Sequence, residues 1–530
     1  MKPVRSVLTA TVFFLAFFST SAQPQSLPNL ALTRLNYTVT KRRVSPQGEL
    51  KAKIDAIDND LATATQQGRT GEVRRLIAKG LTVLAGKDWT DVLDFRSSLV
   101  LRSDHVFVDS SKPYALRLEQ IYSPSLKLDH PLSAHVWLAK PPLQGGLTSI
   151  GLPPQPGDSE KDLGKFDEAS RDLRESPFRM DVDLSGVADG PYQIQAEIFD
   201  GTQSLGLAAL RVVVRKNLDA TLAQIEIEAA KAPEAIRPDI LYPGEYLHNV
   251  DRGRIEIGAF DLAKELASAD QLLAAAKSGK DPFARRTGDF KRHYMFKDAG
   301  EIMPYHLYVP TTYNPSHAFP LVVALHGLGA SEDSMFSAVY GGIPKLAEQH
   351  GFIVVAPLGY RIDGGYGAFR VAGQSNRRTE LSELEVMEVV QQVKQQYKID
   401  DSRVYLMGHS MGGIGTWAIG AKHPDLWAGL GPISGTGDPA TVEKMRAIPE
   451  IVVHGDADDI VPVTGTRAMV AEMKKLGVEV KYIEVPGGNH GNVAATNMAA
   501  IFDFFAAHRK GQVSGEMKPE TKPTTETRTH

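Results

Sequence analysis

Four short apolar runs in the C-terminal part of this 530-residue chain constrain its fold most strongly. They are rich in Val, Ile, Leu and Ala, and they occupy residues 321–325, 353–356, 404–407 and 451–453. Short β-branched runs of this kind are typical of strands that are buried on both faces. Segments with helical spacing, such as 384–397, lie between them. This alternation predicts an α/β domain with a mostly parallel sheet over residues 287–509.

Three other patterns precede this domain. Residues 49–97 carry apolar side chains three or four positions apart with a break at 68–71, which predicts a helical hairpin. Residues 98–216 alternate apolar and polar side chains between turn signals, which predicts a small β-sandwich-like domain. Within it, the polar segment 151–175 is expected to be a surface loop. Residues 217–286 return to helical spacing and are expected to form a helical connector.

The two ends of the chain have their own signatures. Lys2 and Arg5 precede an apolar run at 7–18 and then small residues up to Ala22, which predicts a secretory signal peptide at 1–22. The run is shorter than the ~20 residues of a spanning helix, so no stable membrane insertion is expected after cleavage. We therefore expect an exported protein, periplasmic or secreted. Residues 23–48 are expected to be a linker, and 510–530 a disordered tail.

Composition excludes several functional classes. The chain has no cysteine, so disulfides, a thiol nucleophile and thiolate metal sites are absent. Its formal net charge of -4 gives no basic surface for nucleic acid, and no nucleic-acid partner is expected. Neither a cofactor nor a metal is predicted. The sequence leaves the oligomeric state open.

One motif carries nucleophile chemistry. The run 404–407 leads directly into GHSMG at 408–412, and helical spacing follows. In a strand, G-x-S-x-G, helix arrangement the glycines allow a sharp turn that exposes the serine hydroxyl above the sheet. A glycine turn whose serine merely caps the helix is the structural alternative. We predict that Ser410 is the nucleophile.

A serine nucleophile requires a general base, an orienting acid and an oxyanion site. His490 lies in the glycine-rich segment PGGNHG after a predicted strand, and we predict that it is the base. The loop after the run 451–453 offers three acids, Asp456, Asp458 and Asp459. The chain order of serine, acid and histidine is the order that the α/β-hydrolase fold requires.

The predicted oxyanion site uses backbone N–H groups. One follows the nucleophile, at Met411, and the other lies in the loop after an early strand, at Leu328 in the segment LHGLG. An ordinary glycine loop is the alternative for that segment. Because only the N–H groups act, these two side chains need not be polar.

The segments 399–417 and 423–428 resemble the phospholipase/carboxylesterase, feruloyl-esterase and polyhydroxybutyrate-depolymerase-like group. They are also similar to the catalytic domain of prolyl-oligopeptidase-family proteins. The resemblance covers roughly the last 220 residues before the tail and implies an α/β-hydrolase fold and serine esterase activity. A sandwich ahead of such a domain resembles exported esterases with an immunoglobulin-like domain.

The resemblance also selects among the acids. In such His-Gly-x-x-Asp loops the acid lies four residues after the histidine, which implies Asp458. Asp456 is then expected to brace the loop and Asp459 to be solvated. For His409 and His454, packing and hydrogen bonding behind the catalytic groups are expected.

These residues predict cleavage of carboxylic esters through an acyl-enzyme on Ser410, with a small-molecule or polysaccharide-linked ester as substrate. Two alternatives are kept: a prolyl-oligopeptidase-like peptidase and a non-catalytic binding protein on a hydrolase scaffold. The chain lacks the length and repeats of the β-propeller that gates prolyl oligopeptidases, and it retains all three catalytic side-chain types. The loop 359–376 could line the substrate site or be a packed surface loop.

Overall fold

The structure, a computed structural model, describes residues 27–141, 154–169, 172–258, 260–369 and 375–511. The predicted signal peptide and nearly all of the predicted tail lie outside these ranges. The helices are α1 (Leu30–Val44), α2 (Gly48–Gln66), α3 (Thr70–Leu84), α4 (Asp91–Ser98), α5 (Leu218–Ala229), α6 (Arg237–Asp251), α7 (Leu262–Lys277), α8 (Ile343–His350), α9 (Asn376–Gln396), α10 (Met411–Lys422), α11 (Val463–Leu476) and α12 (Asn492–Ala507).

The strands of the N-terminal half are β1 (Leu99–Arg102), β2 (Phe107–Val108), β3 (Tyr114–Gln120), β4 (Leu132–Ala139), β5 (Ser159–Ala169), β6 (Phe178–Val182), β7 (Gly190–Asp200) and β8 (Gln203–Val214). Those of the C-terminal half are β9 (Gly288–Phe296), β10 (Glu301–Val309), β11 (Phe319–Leu325), β12 (Ile353–Pro357), β13 (Ile399–His409), β14 (Gly429–Ile433), β15 (Glu450–Gly455) and β16 (Val480–Val485).

The C-terminal half is built on one eight-stranded sheet with the order β16-β15-β14-β13-β11-β12-β10-β9. The strands from β16 to β12 are parallel, whereas β10 pairs antiparallel with β9 and with β12. The prediction of an α/β domain with a mostly parallel sheet is therefore confirmed. All the parallel strands end at one edge of this sheet, where the loops that carry the predicted site residues begin.

Helices cover both faces of this sheet because its central strands are apolar on both faces. Along β11, Leu321, Val323 and Leu325 point into the layer that contains α9, α10 and α11. Val322 and Ala324 point the other way, into the layer of α8 and α12. This alternation follows from the two-residue period of a strand. It explains why the run at 321–325 shows no polar face in the sequence.

The N-terminal half contains two further sheets. One has the order β2-β8-β7-β4-β5, and the other has the order β1-β3-β6. Helix α6 connects this half to the large sheet, because Asp239 accepts a hydrogen bond from the backbone N–H of His293 on β9 at 2.6 Å. Arg292 donates to the same carboxylate at 3.2 Å, and Tyr242 stacks on the His293 ring.

The prediction of a linker at 23–48 is wrong for most of the segment, because residues 30–44 form helix α1. Asn29 caps this helix, since its side-chain oxygen accepts from the N–H groups of Ala31 and Leu32 at 2.8 and 3.2 Å. Tyr37 packs with α2 and α3 in a shared apolar cluster. The helix thus obtains its stability from packing rather than from an apolar stripe in its own sequence.

The surface loop predicted at 151–175 is also wrong over much of its length. Residues 159–169 form β5, which pairs antiparallel with β4 at the edge of the five-stranded sheet. Charged side chains such as Lys161 and Asp162 are tolerated there because an edge strand has a free side in contact with water.

In the part of the chain that the structure describes, no helix is both long enough and apolar enough to cross a membrane.

Candidate active site

Ser410 occupies a strained turn between β13 and α10. Its backbone has φ 59° and ψ -116°, a conformation that side-chain-bearing residues rarely adopt. The turn is possible because the neighbouring glycines allow very close contacts. A Cβ on Gly412 would lie 2.2 Å from the carbonyl oxygen of Leu325 at the end of β11. The sequence thus places the serine at the carboxyl edge of the sheet, as the strand, turn and helix pattern predicts.

Hydrogen bonds hold this turn in place. The N–H of Ser410 donates to the carbonyl of Ile433 on β14 at 2.9 Å, and its carbonyl accepts from the N–H of Ile414 at 3.0 Å. Ser410 is therefore fixed by the neighbouring strand on one side and by the first turn of α10 on the other.

The predicted acid and base are in contact. His490 Nδ1 lies 2.7 Å from Asp458 Oδ2, and the Asp458 side chain is fully buried. His454 Nε2 donates to the carbonyl oxygen of Val461 at 2.9 Å and lies 3.3 Å from the same Asp458 oxygen. The other oxygen, Oδ1, accepts from the N–H groups of Ile460 and Val461 at 2.9 and 2.8 Å. Four donors therefore surround one carboxylate.

This environment keeps Asp458 ionised. Burial alone would raise its pKa, but hydrogen bonds from His454 and His490 together with the backbone donors outweigh burial and hold the pKa well below its usual range. An ionised Asp458 holds a proton on Nδ1 of His490. The other ring nitrogen, Nε2, is then free to accept a proton.

The two other acids of the loop have different environments. Asp456 Oδ1 accepts from the N–H of Gly487 at 2.6 Å. This bond connects the loop after β15 (456–462, the acid loop) to the loop after β16 (486–491, the base loop). The side chain of Asp459 is 37% exposed, as expected for a solvated carboxylate, and it also forms an ion pair with Arg43 of α1. This ion pair was not predicted, because the two residues are far apart in the chain.

His409 links the nucleophile to the base loop. Its Nε2 donates to the carbonyl of His490 at 2.7 Å, and its Nδ1 accepts from the hydroxyl of Tyr340 at 3.1 Å. Burial, followed by the proximity of the His490 ring, lowers the pKa of His409 to about 4, so it is neutral at physiological pH. Because His409 immediately precedes Ser410, the bond from His409 to the His490 carbonyl holds the base loop next to the turn that carries Ser410.

The loop after β11 lies against the nucleophile. A Cβ on Gly327 would lie 3.4 Å from the Cβ of Ser410. The ring nitrogens of buried His326 lie 2.8 Å from the carbonyl oxygens of Gly327 and Leu358, which fixes the loop on the end of β12. Leu328 follows Gly327 in this loop, and Met411 follows Ser410 directly. The two residues predicted to supply the oxyanion N–H groups are therefore each next to one member of this contact.

Sequence reasoning missed Tyr340, because nothing in its surroundings marks a hydrogen bond to a residue 69 positions later. The loop 359–376, left open between two roles, is partly a packed loop: Tyr366 is fully buried against Gly415 of α10. Among the described residues, no group of three or more His, Asp or Glu side chains is arranged to hold a metal ion.

Comparison with known proteins gives a family match. The model of the Esterase family matches residues 297–486. A bifunctional acetylxylan esterase/xylanase of Neocallimastix patriciarum is 31% identical over 172 residues, which are 32% of this chain and 23% of that protein. Feruloyl esterase B of Neurospora crassa is 30% identical over 129 residues, which are 24% of this chain and 43% of that protein.

Among solved structures, a thermostable esterase is similar with a TM-score of 0.37 and 18% identity, covering 78% of this chain and 98% of that one. The chain spans less than half the length of the curated relatives described above. The segment matched by the family model begins just after β9, ends just after β16, and contains Ser410 and Asp458 but not His490. Over this segment the chain matches the Esterase family, and the curated relatives support an α/β-hydrolase serine esterase.

Proposed function

We propose that the protein is an exported hydrolase that cleaves carboxylic esters through an acyl-enzyme on Ser410. The observation that supports this most strongly is the 2.7 Å contact between His490 Nδ1 and Asp458 Oδ2, beside a serine held at φ 59° on the turn after β13. A buried carboxylate that orients a histidine near a strained serine is the arrangement that activates a hydroxyl for acyl transfer.

In the proposed reaction, Ser410 Oγ attacks the acyl carbon while His490 Nε2 takes its proton. Asp458 holds the imidazole in the tautomer with the proton on Nδ1 and stabilises the imidazolium that forms. The backbone N–H groups of Leu328 and Met411 stabilise the negative oxygen of the tetrahedral intermediate. His490 then gives its proton to the leaving alcohol.

Deacylation repeats these steps with water. His490 removes a proton from the water molecule as it attacks the acyl carbon, and Ser410 leaves as the alcohol. The products are the carboxylic acid and the free enzyme. This sequence needs only the side chains and N–H groups of the chain itself.

The substrate class is proposed from the relatives. The names of two of them specify acetylxylan esterase and feruloyl esterase activity, in other words esters of acetic or ferulic acid. We propose an ester of this kind, either as a small molecule or linked to a polysaccharide. Nucleic acid is not proposed as a partner, because the net charge is -4.

A panel of esters tests this function. Nitrophenyl acetate, an acetylated xylo-oligosaccharide and a feruloyl sugar should be hydrolysed by the wild-type chain, and Ser410→Ala should reduce each kcat by at least about 10⁴-fold. Ser402→Ala is the matched control, because Ser402 lies on the same strand at its opposite end. Full activity in Ser410→Ala would refute the proposal.

The same panel separates the alternatives. Cleavage of a proline-containing chromogenic peptide without ester hydrolysis would favour a peptidase. Binding of the sugars without cleavage, together with no labelling of Ser410 by a fluorophosphonate, would favour a binding protein.

The organisation of the whole chain is also a proposal. We propose a signal peptide at 1–22, a helical hairpin within 49–97, a β-sandwich-like domain at 98–216, a helical connector at 217–286 and a catalytic domain at 287–509. Intact mass measurement of the exported protein should give a chain that begins at Gln23. A retained segment 1–22 would contradict the export part of this proposal.

A further inference from the structure

The N-terminal end of helix α1 lies against the loop after β11 that contains Leu328, here called the oxyanion loop. Leu32 packs so closely on Gly329 that a Cβ there would lie 2.8 Å from both leucine methyl groups. Asn29 Nδ2 donates to Asp363 Oδ2 at 3.0 Å. Since Gly329 immediately follows Leu328, this end of α1 borders one of the two proposed oxyanion donors.

The C-terminal end of α1 lies against the acid loop. Arg42 Nη1 donates to the carbonyl oxygens of Asp459 and Ile460 at 3.1 and 2.8 Å. Arg43 forms an ion pair with the Asp459 carboxylate. These contacts are adjacent to Asp458, the proposed acid of the triad. The helix is thus attached to the two loops on either side of the nucleophile.

The spacing of the parallel strands indicates which part of the sheet lies between the two ends of α1. The oxyanion loop follows β11 and the acid loop follows β15, and the parallel strands β13 and β14 lie between them. Three strand spacings of ~4.8 Å give about 14 Å. From Leu32 to Arg42, an α-helix rises about 15 Å. The lengths agree, so α1 crosses the carboxyl ends of β13 and β14, and its middle lies over Ser410.

The face of α1 that points to the sheet follows from the helical period. Leu32, Asn36 and Val39 lie on one side of the helix, and Leu35 borders them. The other side carries Tyr37, which joins the apolar cluster with α2 and α3. Asn36 and Val39 are each 1% exposed, so they are packed against neighbours and border no open space, whereas Leu35 keeps part of its surface exposed. Leu35 is therefore the apolar side chain of this face that remains accessible between the two attachments.

We propose that α1 is the roof of the substrate cleft, and that Leu35 forms the wall that limits the length of the acyl group reaching Ser410. This inference rests on the proposed esterase function. A helix held at both ends by ion pairs and hydrogen bonds is a fixed wall, so the size of its side chains sets the space beneath it. The chain length of the preferred ester then depends on residues outside the catalytic domain.

The test compares nitrophenyl esters of acetic, butyric and octanoic acid on full-length variants. Leu35→Ala should raise the octanoate-to-acetate ratio of kcat/KM about tenfold, since a methylene-sized space in an apolar pocket changes selectivity by that order. Leu35→Phe should lower the same ratio. Lys41→Ala is the control on the same helix, because Lys41 pairs with Asp58 of α2 on the opposite face.

A second measurement does not depend on turnover. The rate at which a small and a long-chain alkyl fluorophosphonate label Ser410 reports access directly, and the melting temperature checks that each variant is folded. If the wild type labels and hydrolyses esters but both ratios are unchanged in folded Leu35 variants, the roof is refuted and the esterase proposal stands. If neither labelling nor hydrolysis occurs in the wild type, the esterase proposal itself fails.

Discussion

Replacing Asp458 by Asn tests the acid at the level of single hydrogen bonds. The Asp458 carboxylate accepts from His490 through one oxygen and from the N–H groups of Ile460 and Val461 through the other, and His454 Nε2 lies 3.3 Å from the first oxygen. An amide has one oxygen and one NH₂ group. If the NH₂ group replaces Oδ1, the N–H groups of Ile460 and Val461 lose their acceptor; if it replaces Oδ2, the Nδ1–H of His490 loses its acceptor. In either orientation Asp458→Asn leaves at least one buried donor without an acceptor.

The size of the effect follows from these contacts. Each buried donor without a partner costs about 1–3 kcal/mol, so Asp458→Asn should lower the free energy of unfolding by a few kcal/mol. If the amide turns its NH₂ group to His490, the imidazole is driven to the wrong tautomer. In serine hydrolases with such a triad, this change lowers kcat about 10⁴-fold, or about 5 kcal/mol in activation free energy.

The assay is kcat on nitrophenyl acetate, with urea unfolding on the same samples. Asp456→Asn and Asp459→Asn are matched controls in the same loop. The amide oxygen of the first can still accept from Gly487, and the second loses only an exposed ion pair with Arg43, worth about 0–1 kcal/mol. Both controls should lose less than about tenfold in kcat. If Asp458→Asn keeps a tenth of the wild-type kcat, or if Asp456→Asn loses as much as it does, the assignment of the acid is wrong.

Two further predictions follow from buried groups. Burial raises the pKa of Glu450 to about 8. Between pH ~4.5 and ~8 the native chain therefore holds a proton that the unfolded chain releases. The free energy of unfolding then falls by up to about 1.4 kcal/mol for each unit by which the pH rises. Glu450→Gln, which can still accept from the indole of Trp417, should flatten this slope in urea unfolding at pH 5, 6.5 and 8; an unchanged slope would contradict the argument. Gly412→Ala would bring a Cβ within 2.2 Å of the Leu325 carbonyl. It should reduce stability by about 3 kcal/mol and abolish ester hydrolysis, whereas wild-type activity would exclude the tight turn.

Local patterns predicted the catalytic part of the chain because each of its chemical groups follows a strand directly. Ser410 and Asp458 follow short apolar runs, which are typical of buried parallel strands. The carboxyl ends of such strands lie at one edge, so chain order alone brings their loops together. Contacts such as that from Tyr340 to His409 depend on how a distant loop packs, and no periodicity contains that information.

Helix α1 was not predicted because its buried side chains are not all apolar. Thr33 and Asn36 are 4% and 1% exposed, and Thr33 donates to the carbonyl of Asn29 within the helix at 2.8 Å. A search for an apolar stripe finds no period in such a segment. The helix packs against α2 and α3 on one side and against the catalytic loops on the other. Because partners on both sides satisfy its polar side chains, the segment resembles a linker in the sequence. Strand β5 escaped prediction for a related reason, since its charged residues lie at a sheet edge.

Strand β15 shows what decides the charge of a buried acid in this fold. Glu450 begins the strand and Asp458 lies just beyond its end, and neither is more than 7% exposed. Glu450 Oε2 accepts only from Trp417, and Oε1 has no partner among the described residues, so burial dominates and raises the pKa to about 8. Asp458 is surrounded by four donors, and its pKa falls well below the usual range. The difference is the supply of N–H groups, because the loop that leaves the carboxyl end of a strand can turn its amides toward a carboxylate, whereas the amides of a strand within the sheet are already paired. A catalytic carboxylate that must stay ionised while buried is therefore expected at the end where Asp458 lies, which is also the end that α1 covers.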